Sequence, residues 1–272
     1  MTASLARRGL RSSRWFGALI FLALALTLGF LVLPVVAIFL DTSPARLLAS
    51  LGEEESLQAL RLSLETSTIA IAIIVLIGTP AAYRLALRPA RFHAVVLTLI
   101  ELPLVLPPAV AGIGLLAALG PQGLLGGALA DAHLQLVLST AAVVVALVFV
   151  ASPFYIRQAH AAFAAIDRTY LEASRGLGAR EAQTFLRVAI PIARPALLAG
   201  LALAWGRALG EFGATLMFAG SYQGVTQTVP LAIYDEFASN FPAALALSAI
   251  LVIVAAALLL AIKLLGALQP PM

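Results

Sequence analysis

The sequence predicts an all-α membrane protein with about six transmembrane helices, and its composition and its apolar blocks lead to this prediction. Hydrophobic residues make up 62% of the 272 residues and charged residues only 11%, whereas a soluble domain carries about 25% charged residues. The apolar residues stand in long blocks such as 15–40 and 243–262, which contain no charge. Blocks of about 20 apolar residues match the ~30 Å hydrocarbon core of a bilayer at about 1.5 Å per residue.

Six segments have the length and hydropathy of membrane spans. The first is expected to be retained rather than cleaved as a signal peptide, because it is too long and no Ala-x-Ala site stands directly before Asp41. The second, third and fifth contain more polar residues or prolines, which predicts that they pack inside the bundle. The predicted spans are about 15–40, 58–83, 94–118, 136–156, 195–219 and 243–263.

Basic residues are concentrated in the segments that would lie on one side of the membrane. Fourteen of the 17 Lys and Arg residues precede the first span, lie between spans two and three or four and five, or follow the sixth span. The positive-inside rule therefore places both termini in the cytoplasm, in a multi-pass protein of the inner (cytoplasmic) cell membrane. The same rule explains the net charge of +4 without a nucleic-acid partner. The predicted parts are a cytoplasmic N-terminus (1–14), a transmembrane domain (15–265) and a tail (266–272).

Several kinds of site are disfavoured by the residue types present. The chain has no cysteine, so it has no disulfide and no thiolate metal site. A phosphate-binding loop needs Gly-Lys-Ser/Thr, and the only lysine, Lys263, follows Leu-Ala-Ile at the end of a span. His93, His133 and His160 are scattered over three loops or loop edges, so we interpret them as structural and predict neither a metal site nor a catalytic site. The acidic run 53–55 is interpreted as a solvated outer face.

The loop between spans four and five, about 157–194, is predicted to form a helix–glycine–helix unit. Asp167 is a typical N-cap residue for a short helix, and Gly178 can end that helix in a left-handed conformation. A second short helix runs from Ala179 to about Val188 and is expected to stop before Pro191. Such a surface suits a cytoplasmic protein partner, although an amphipathic loop lying on lipid headgroups would have the same shape.

The spacing in this loop resembles the EAA signature of bacterial ABC importer permeases. The family pattern is Glu-Ala-Ala, three residues, Gly, nine residues, Ile, one residue and Leu-Pro. The chain keeps both gaps, the glycine and the proline, and departs only by a serine and two apolar exchanges. The resemblance implies an ATPase-coupling role for Glu172, Ala173, Ser174, Gly178, Val188, Ile190 and Pro191.

The resemblance also implies the partners of the chain. A coupling helix would sit in a groove of a separate ABC ATPase subunit, with Glu172 facing a basic residue of that subunit and Gly178 making the corner. ATP and Mg would then be used by the partner, so the chain itself is not expected to be an enzyme or to carry a cofactor. An extracytoplasmic substrate-binding protein and a second copy of the chain complete the type I importer that the resemblance implies.

Two further stretches resemble the molybdate/tungstate/sulfate branch of these permeases, and most closely the molybdate permeases. One is 102–108 with Gly112 and Gly114, and the other is 206–220 followed by 224–234. The resemblance runs from about residue 58 to 265 and implies transport of an oxyanion, with molybdate favoured. Permeases for sulfate, tungstate, phosphate, thiamine or ferric ion are the alternatives among importers.

A charged pair and a group of prolines mark the predicted translocation pathway. Arg207 and Glu211 stand four residues apart, so they are expected to pair on one face of span five, with Arg207 near the bilayer middle. The pair either lines the path or locks the bundle as a structural ion pair. Pro103 and the following prolines are expected to break span three beside a cavity, or to form a packing kink. The predicted pathway or gate residues are Arg207, Glu211, Phe212, Thr215, Pro107 and Pro108.

Outside the pathway, the polar loop 221–228 either meets the binding protein or is an ordinary solvated loop. Two other classes of membrane protein would leave different patterns in the sequence. A secondary transporter or channel predicts an internal repeat or mid-membrane carboxylates for ion coupling, and no clear repeat is visible. A membrane-embedded enzyme needs a cluster of His, Asp or Glu at one depth, which the sequence does not show. The EAA-like spacing favours an ABC permease over both.

Overall fold

The computed structural model describes residues 2–87 and 92–267, and these ranges contain helices and connecting segments but no β-strand. The all-α prediction is therefore confirmed. Arg88, Arg91 and residues 268–272 of the predicted tail lie outside the described residues. In chain order the α-helices are α1 (Thr2–Asp41), α2 (Pro44–Gly52), α3 (Glu54–Leu87), α4 (His93–Val105), α5 (Pro108–Leu119), α6 (Gly126–Asp131), α7 (Thr140–Ala164), α8 (Arg168–Gly176), α9 (Glu181–Thr184), α10 (Ile190–Leu209), α11 (Gly213–Ala219), α12 (Val229–Ser239) and α13 (Phe241–Ala267).

The number of membrane spans agrees with the sequence prediction. Five described stretches are long and apolar enough to cross a membrane: Trp15–Asp41, Glu54–Leu87, Thr140–Ala164, Glu181–Leu209 and Phe241–Gly266. The pair α4 and α5 makes a sixth span if it is counted as one bent unit. Several predicted boundaries were wrong by a turn or more, since α3 runs to Leu87 and α7 continues to Ala164.

The third span is broken by a bend of 115° between α4 and α5. Leu106 and Pro107 both have extended backbone angles, with ψ of 130° and 135°, because a following proline disfavours the helical conformation. Pro108 then occupies the first turn of α5, where no backbone N–H is needed. Pro103 lies inside α4 without ending it. The predicted break therefore occurs at Pro107 and Pro108, and its extension to Pro103 was wrong.

The fifth span begins earlier and ends earlier than predicted. A π-helical segment, Phe185–Ala189, joins α9 to α10, and Ile190 donates its backbone N–H to the Phe185 carbonyl. The wider turn accommodates Pro191, whose ring would otherwise clash with a carbonyl one turn back. The expected helix stop before Pro191 is therefore wrong, because the helix continues through it. At the other end α10 stops at Leu209, and 213–219 forms the separate helix α11.

The core of the bundle is formed mainly by α3, α7 and α10. Four fully buried alanines on α7, which are Ala142, Ala146, Ala151 and Ala159, let the neighbouring helices approach closely. Polar links cross the same interfaces: the hydroxyls of Thr79 and Tyr155 are 2.7 Å apart, and Trp205 donates its indole N–H to Ser67 Oγ at 3.1 Å. By contrast, no side chain in the apolar part of α1, residues 15–40, is buried.

Candidate coupling loop and translocation path

The first arm of the coupling loop is α8, and local chemistry sets both of its ends. Asp167 caps the N-terminus, because its Oδ1 accepts the Thr169 backbone N–H at 2.9 Å and the Thr169 hydroxyl at 2.8 Å. These hydrogen bonds lower the pKa of the Asp167 carboxyl below its usual value. The cap is therefore ionised throughout the physiological pH range, and the predicted N-cap position of Asp167 is present in the structure.

The corner after α8 is a Schellman motif closed by glycine. The Gly178 N–H donates to the Arg175 carbonyl at 2.9 Å, and the Ala179 N–H donates to the Ser174 carbonyl at 3.1 Å. Gly178 has φ of +86°, a left-handed conformation that costs little energy only for glycine and a few polar residues. The predicted tight corner at Gly178 is present in the structure.

The second arm folds back against the first through a contact that the sequence did not indicate. The hydroxyls of Ser174 on α8 and Thr184 on α9 are 3.0 Å apart, and Thr184 is fully buried. Arg180 begins α9 by donating its backbone N–H to Gln183 Oε1 at 2.8 Å. The serine that replaces alanine in the EAA-like pattern therefore ties the two arms of the loop together.

Aromatic side chains connect the loop to the membrane helices. Tyr83 of α3 packs against Phe185 and Phe163, with ring centroids 4.7 Å and 5.3 Å away. Phe163 and Phe185 are also in contact at 6.2 Å. Leu171 of α8 is buried beside this cluster, while Val188 and Ile190 are half-buried along the continuing helix. The loop is therefore in direct contact with α3 and α7 and continuous with α10.

The outward surface of the loop carries apolar side chains in contact with solvent. Leu177 is 90% exposed and Tyr170 is 60% exposed, and Glu172 and Ala173 are exposed between them. Large apolar groups at a charged, water-facing surface favour a protein partner. This surface is where the sequence predicted the ATPase to dock.

Arg207 and Glu211 form the predicted ion pair, although their setting differs from the prediction. Arg207 Nη2 lies 2.5 Å from Glu211 Oε2, and the side chains are 26% and 1% exposed, respectively. Glu211 does not lie on α10 but just beyond its end, where Oε1 accepts the Ala214 backbone N–H at 2.6 Å. Arg207 is in the last turn of α10, about 26 Å from Ile190 at about 1.5 Å per residue, and not at the middle of that helix.

Residues with hydroxyl groups lie beside Glu211. Ser63, Thr66 and Thr228 line a small space together with it. Ser63 Oγ accepts the Val229 N–H at 2.8 Å, and the Thr228 hydroxyl is buried without a hydrogen-bond partner. The predicted pathway residue Thr215 is fully buried with an unpartnered hydroxyl, and Phe212 is half-buried. Of the charged pair, only Arg207 is partly exposed in the single chain.

The bend in span three packs tightly against the break that follows α10. A methyl group added at Gly112 would lie 2.7 Å from the Ala214 carbonyl oxygen, and one at Gly213 would lie 2.8 Å from Pro108 Cβ. Pro107 and Pro108 are themselves exposed in the single chain. The predicted gate residues on α5 and around α11 therefore form one close-packed unit rather than two separate features.

The structure also joins charged residues that the sequence did not connect. Glu101 of α4 pairs with Arg157 of α7 at 3.2 Å. One turn further along α7, His160 lies with its ring centroid 5.4 Å from that of His93. The prediction that the histidines are scattered is therefore wrong for these two. The residues of each pair are far apart in the sequence, so their spacing does not indicate either contact.

The outer loop 221–228 is only partly exposed. Tyr222, Gln223 and Val225 are exposed, whereas Thr226 and Thr228 are buried. Its second half is therefore not an ordinary solvated loop, and there Gln227 donates its side-chain N–H to Asp235 of α12 at 2.7 Å. The acidic run 53–55 is exposed, as predicted.

Comparison with known proteins places this arrangement among transport proteins. Residues 74–271 match the family described as binding-protein-dependent transport system inner membrane component. The molybdenum transport system permease protein ModB of Mycobacterium tuberculosis is 42% identical over 233 residues, which cover 86% of this chain and 88% of that protein. The sulfate transport system permease protein CysW of a Synechocystis species is 32% identical over 222 residues, which cover 80% of each.

The fold is similar to that of solved ABC transporters. A chain of a bacterial ABC transporter involved in the import of the acidic polysaccharide alginate superposes with a TM-score of 0.74 at 15% identity. The match covers 96% of this chain and 98% of that chain. At this identity the likeness concerns the fold alone.

Proposed function

Because the chain belongs to the inner membrane components of binding-protein-dependent transport systems, the permease subunits of ABC importers, we propose that it carries the oxyanion molybdate into the cytoplasm. The relative named for molybdenum transport, at 42% identity over most of both chains, supports this substrate. The observation that carries the proposal is the half-buried Arg207, held beside the buried Glu211 at the break between α10 and α11.

The partly neutralised charge of Arg207 favours passage of an anion over tight binding of it. A site with several unpaired arginines would hold a dianion tightly, whereas Glu211 partly neutralises Arg207. The exposed part of the guanidinium still attracts an anion and offers it hydrogen-bond donors. Specific recognition then belongs to an extracytoplasmic binding protein, which we place on the outer surface near the exposed residues Tyr222 and Gln223.

The working assembly in this proposal contains two copies of the chain and two ABC ATPase subunits. Six spans from one chain supply one wall of a path, and a symmetric second copy supplies the other. The ATPase subunits dock on the exposed side chains of α8 and hydrolyse ATP with Mg, while this chain hydrolyses none. ATP binding draws the two coupling loops together, and the aromatic contacts of Tyr83, Phe163 and Phe185 pass that movement to the membrane helices.

Uptake into vesicles tests the role of Arg207. The permease is reconstituted with its ATPase and binding protein, and uptake of labelled molybdate and labelled sulfate is measured. Arg207→Ala leaves a buried carboxylate unpaired, which typically costs about 3–5 kcal/mol of stability. We expect this variant to express poorly and to lose uptake.

A double variant separates transport from folding. In Arg207→Ala/Glu211→Gln the glutamine keeps an oxygen for the Ala214 N–H but carries no charge, so expression should recover while uptake stays low. If the double variant transports normally, the pair is structural. If neither oxyanion enters but a neutral or cationic solute does, the chain remains an importer permease and the molybdate proposal is wrong.

Sulfate is the second candidate substrate, because a sulfate permease is similar over 80% of the chain. The two dianions share a tetrahedral shape and differ in size. Excess unlabelled sulfate should therefore reduce labelled molybdate uptake less than the same excess of unlabelled molybdate. The opposite order would make sulfate the substrate.

Cysteine labelling tests the proposed orientation, in which both termini are cytoplasmic. The chain has no cysteine of its own, so single cysteines can be placed without background. Cysteines at the exposed positions Gln122 and Gln223 should react with an impermeant thiol reagent outside intact cells. A cysteine at Ala179, in the coupling loop, should react only after the cells are opened. Labelling of that position from outside would reverse the topology.

A further inference from the structure

A second arginine–glutamate pair links α4 and α7 on an exposed face of the single chain. Arg157 Nε is 3.2 Å from Glu101 Oε1, and the side chains remain 60% and 41% exposed, respectively. Glu101 is eight residues from the start of α4, and Arg157 is seven residues from the end of α7. At about 1.5 Å per residue, both lie roughly 10–12 Å from the helix ends that lead towards the coupling loop.

The exposure of this pair limits what can surround it. Both residues lie on membrane-spanning helices, and a charged side chain facing hydrocarbon is strongly unfavourable. The exposed faces of Arg157 and Glu101 must therefore meet water or another protein surface. A water-filled path between two copies of the chain provides such surroundings. Water there can accept hydrogen bonds from the guanidinium N–H groups that do not face Glu101.

The Arg157–Glu101 pair lies closer to the coupling loop than Arg207 does. Arg207 is about 26 Å from Ile190, where α10 leaves the loop region, whereas Arg157 is only about 10 Å from the loop end of α7. Gly200 of α10 packs against Gln158 of α7, the neighbour of Arg157. Arg207 is seven residues beyond Gly200, so the two arginines lie at different depths, about 9 Å apart along the bundle. Each is partly exposed and each is held by a glutamate.

Two imidazole groups extend this polar surface towards the loop. His160 follows Arg157 by three residues on the same helix, and its ring lies 5.4 Å from that of His93 on α4. Imidazoles can donate hydrogen bonds to an oxyanion even when they are neutral. Glu101, Arg157, His93 and His160 therefore line one continuous polar strip where α4 meets α7.

We propose that Arg157, partly neutralised by Glu101, is a second oxyanion contact, located at the coupling-loop end of the path. The inference rests on the proposed function, since it assumes that an anion passes Arg207. An anion that leaves Arg207 meets Arg157 before it reaches the cytoplasm. Glu101 keeps that contact weak, so the anion is released rather than retained.

Three variants in the reconstituted complex test the contact at Arg157. Arg157→Gln should lower molybdate uptake about tenfold, the loss typical of one charge-assisted hydrogen bond. Glu101→Gln frees the guanidinium, so molybdate on the cytoplasmic side should inhibit uptake at about tenfold lower concentration. Arg61→Gln is the matched control, because Arg61 pairs with Glu65 at 2.6 Å with side chains 80% and 52% exposed, at the opposite end of the bundle. This control should change neither molybdate uptake nor the molybdate concentration that inhibits it from the cytoplasmic side.

A labelling experiment measures anion contact without relying on transport. Ala161 is exposed one turn after Arg157 on α7, and Ala161→Cys introduces the only thiol of the chain. In the assembled permease–ATPase complex, molybdate or sulfate should slow its reaction with a thiol reagent, compared with chloride at equal ionic strength. The protection should disappear in Ala161→Cys/Arg157→Gln.

The outcomes distinguish this inference from the proposed function. Uptake by Arg157→Gln within twofold of wild type, together with unchanged protection of the cysteine, overturns the inference and leaves the proposed function standing. Loss of the dimer in Arg157→Gln also overturns it, because the pair would then be a contact between copies. If the wild-type complex takes up no oxyanion, the proposed function fails and the inference fails with it.

Discussion

Glycine marks several helix ends in this molecule, and two of them, at Gly178 after α8 and at Gly210 after α10, are built in different ways. Gly178 has φ of +86° and is closed by hydrogen bonds to carbonyls only three and five residues back along the chain. Gly210 has φ of −90°, which any residue can adopt. At that break Glu211 pairs with Arg207, accepts the Ala214 N–H and lines a small space with Ser63 and Thr66 of α3.

The difference separates a local structure from one that depends on the whole bundle. The coupling corner is defined by hydrogen bonds within about one turn, so a change there should disturb the contact with a partner while the bundle stays folded. The break after α10 depends on residues from three regions of the chain. A change there should reduce stability and transport together. The following variants test that distinction.

The largest effect is expected from Gly178→Pro. Proline fixes φ near −65° and removes the N–H that Gly178 donates to the Arg175 carbonyl. Uptake and uptake-linked ATP hydrolysis should fall more than about tenfold, while expression and thermal unfolding of the permease change little. Gly178→Asn is the control, because asparagine tolerates positive φ, and it should keep most of the activity. Wild-type uptake by the proline variant would rule out the coupling role of this corner.

Phe163→Ala tests the aromatic link between the loop and the bundle. Phe163 is fully buried and contacts Tyr83 and Phe185. Truncating a buried phenylalanine typically lowers the free energy of unfolding by about 3–5 kcal/mol. Denaturant unfolding in micelles measures this, with Phe30→Ala as the control because Phe30 is 77% exposed on α1. Equal effects of the two variants would show that the aromatic cluster adds no stability.

Gly112→Ala and Gly114→Ala compare two glycines on the same helix, α5. The added methyl at Gly112 meets the Ala214 backbone oxygen and Met217 Cβ, each at 2.7 Å, whereas the methyl at Gly114 meets nothing within 4 Å. Overpacking typically costs about 1–3 kcal/mol, so Gly112→Ala should lower both stability and uptake. Gly114→Ala should leave both near wild type. Identical behaviour would mean that α5 and α11 move apart without cost.

The smallest effect is expected from the hydroxyl pair between the two arms of the loop. Ser174→Ala removes the partner of the buried Thr184 hydroxyl, and a lost hydrogen bond typically costs about 0.5–1.5 kcal/mol. A double-mutant cycle with Thr184→Val isolates the coupling between the two side chains. Additive effects in unfolding measurements would show that the contact contributes nothing.

The sequence by itself determined the features that depend on local chemistry and on the bilayer. Long apolar blocks define membrane spans, because the thickness of the hydrocarbon core sets their length. Asp167 and Gly178 specify the ends of α8, because a cap and a left-handed corner need particular residue types within one turn. The ion pair of Arg207 and Glu211 was predictable for the same reason, since the two residues are neighbours along the chain.

The tertiary structure alone decided which distant residues meet. Glu101 and Arg157 pair at 3.2 Å, and His93 and His160 lie side by side, although each pair is more than 50 residues apart in sequence. Ser63 and Thr66 of α3 line one small space with Glu211, although α3 is far from Glu211 in the sequence. In a span nearly every position is apolar and the helical period is uniform, so the sequence does not state which face of one helix contacts another. Close packing of small residues such as Gly112 and Gly213 settles that choice.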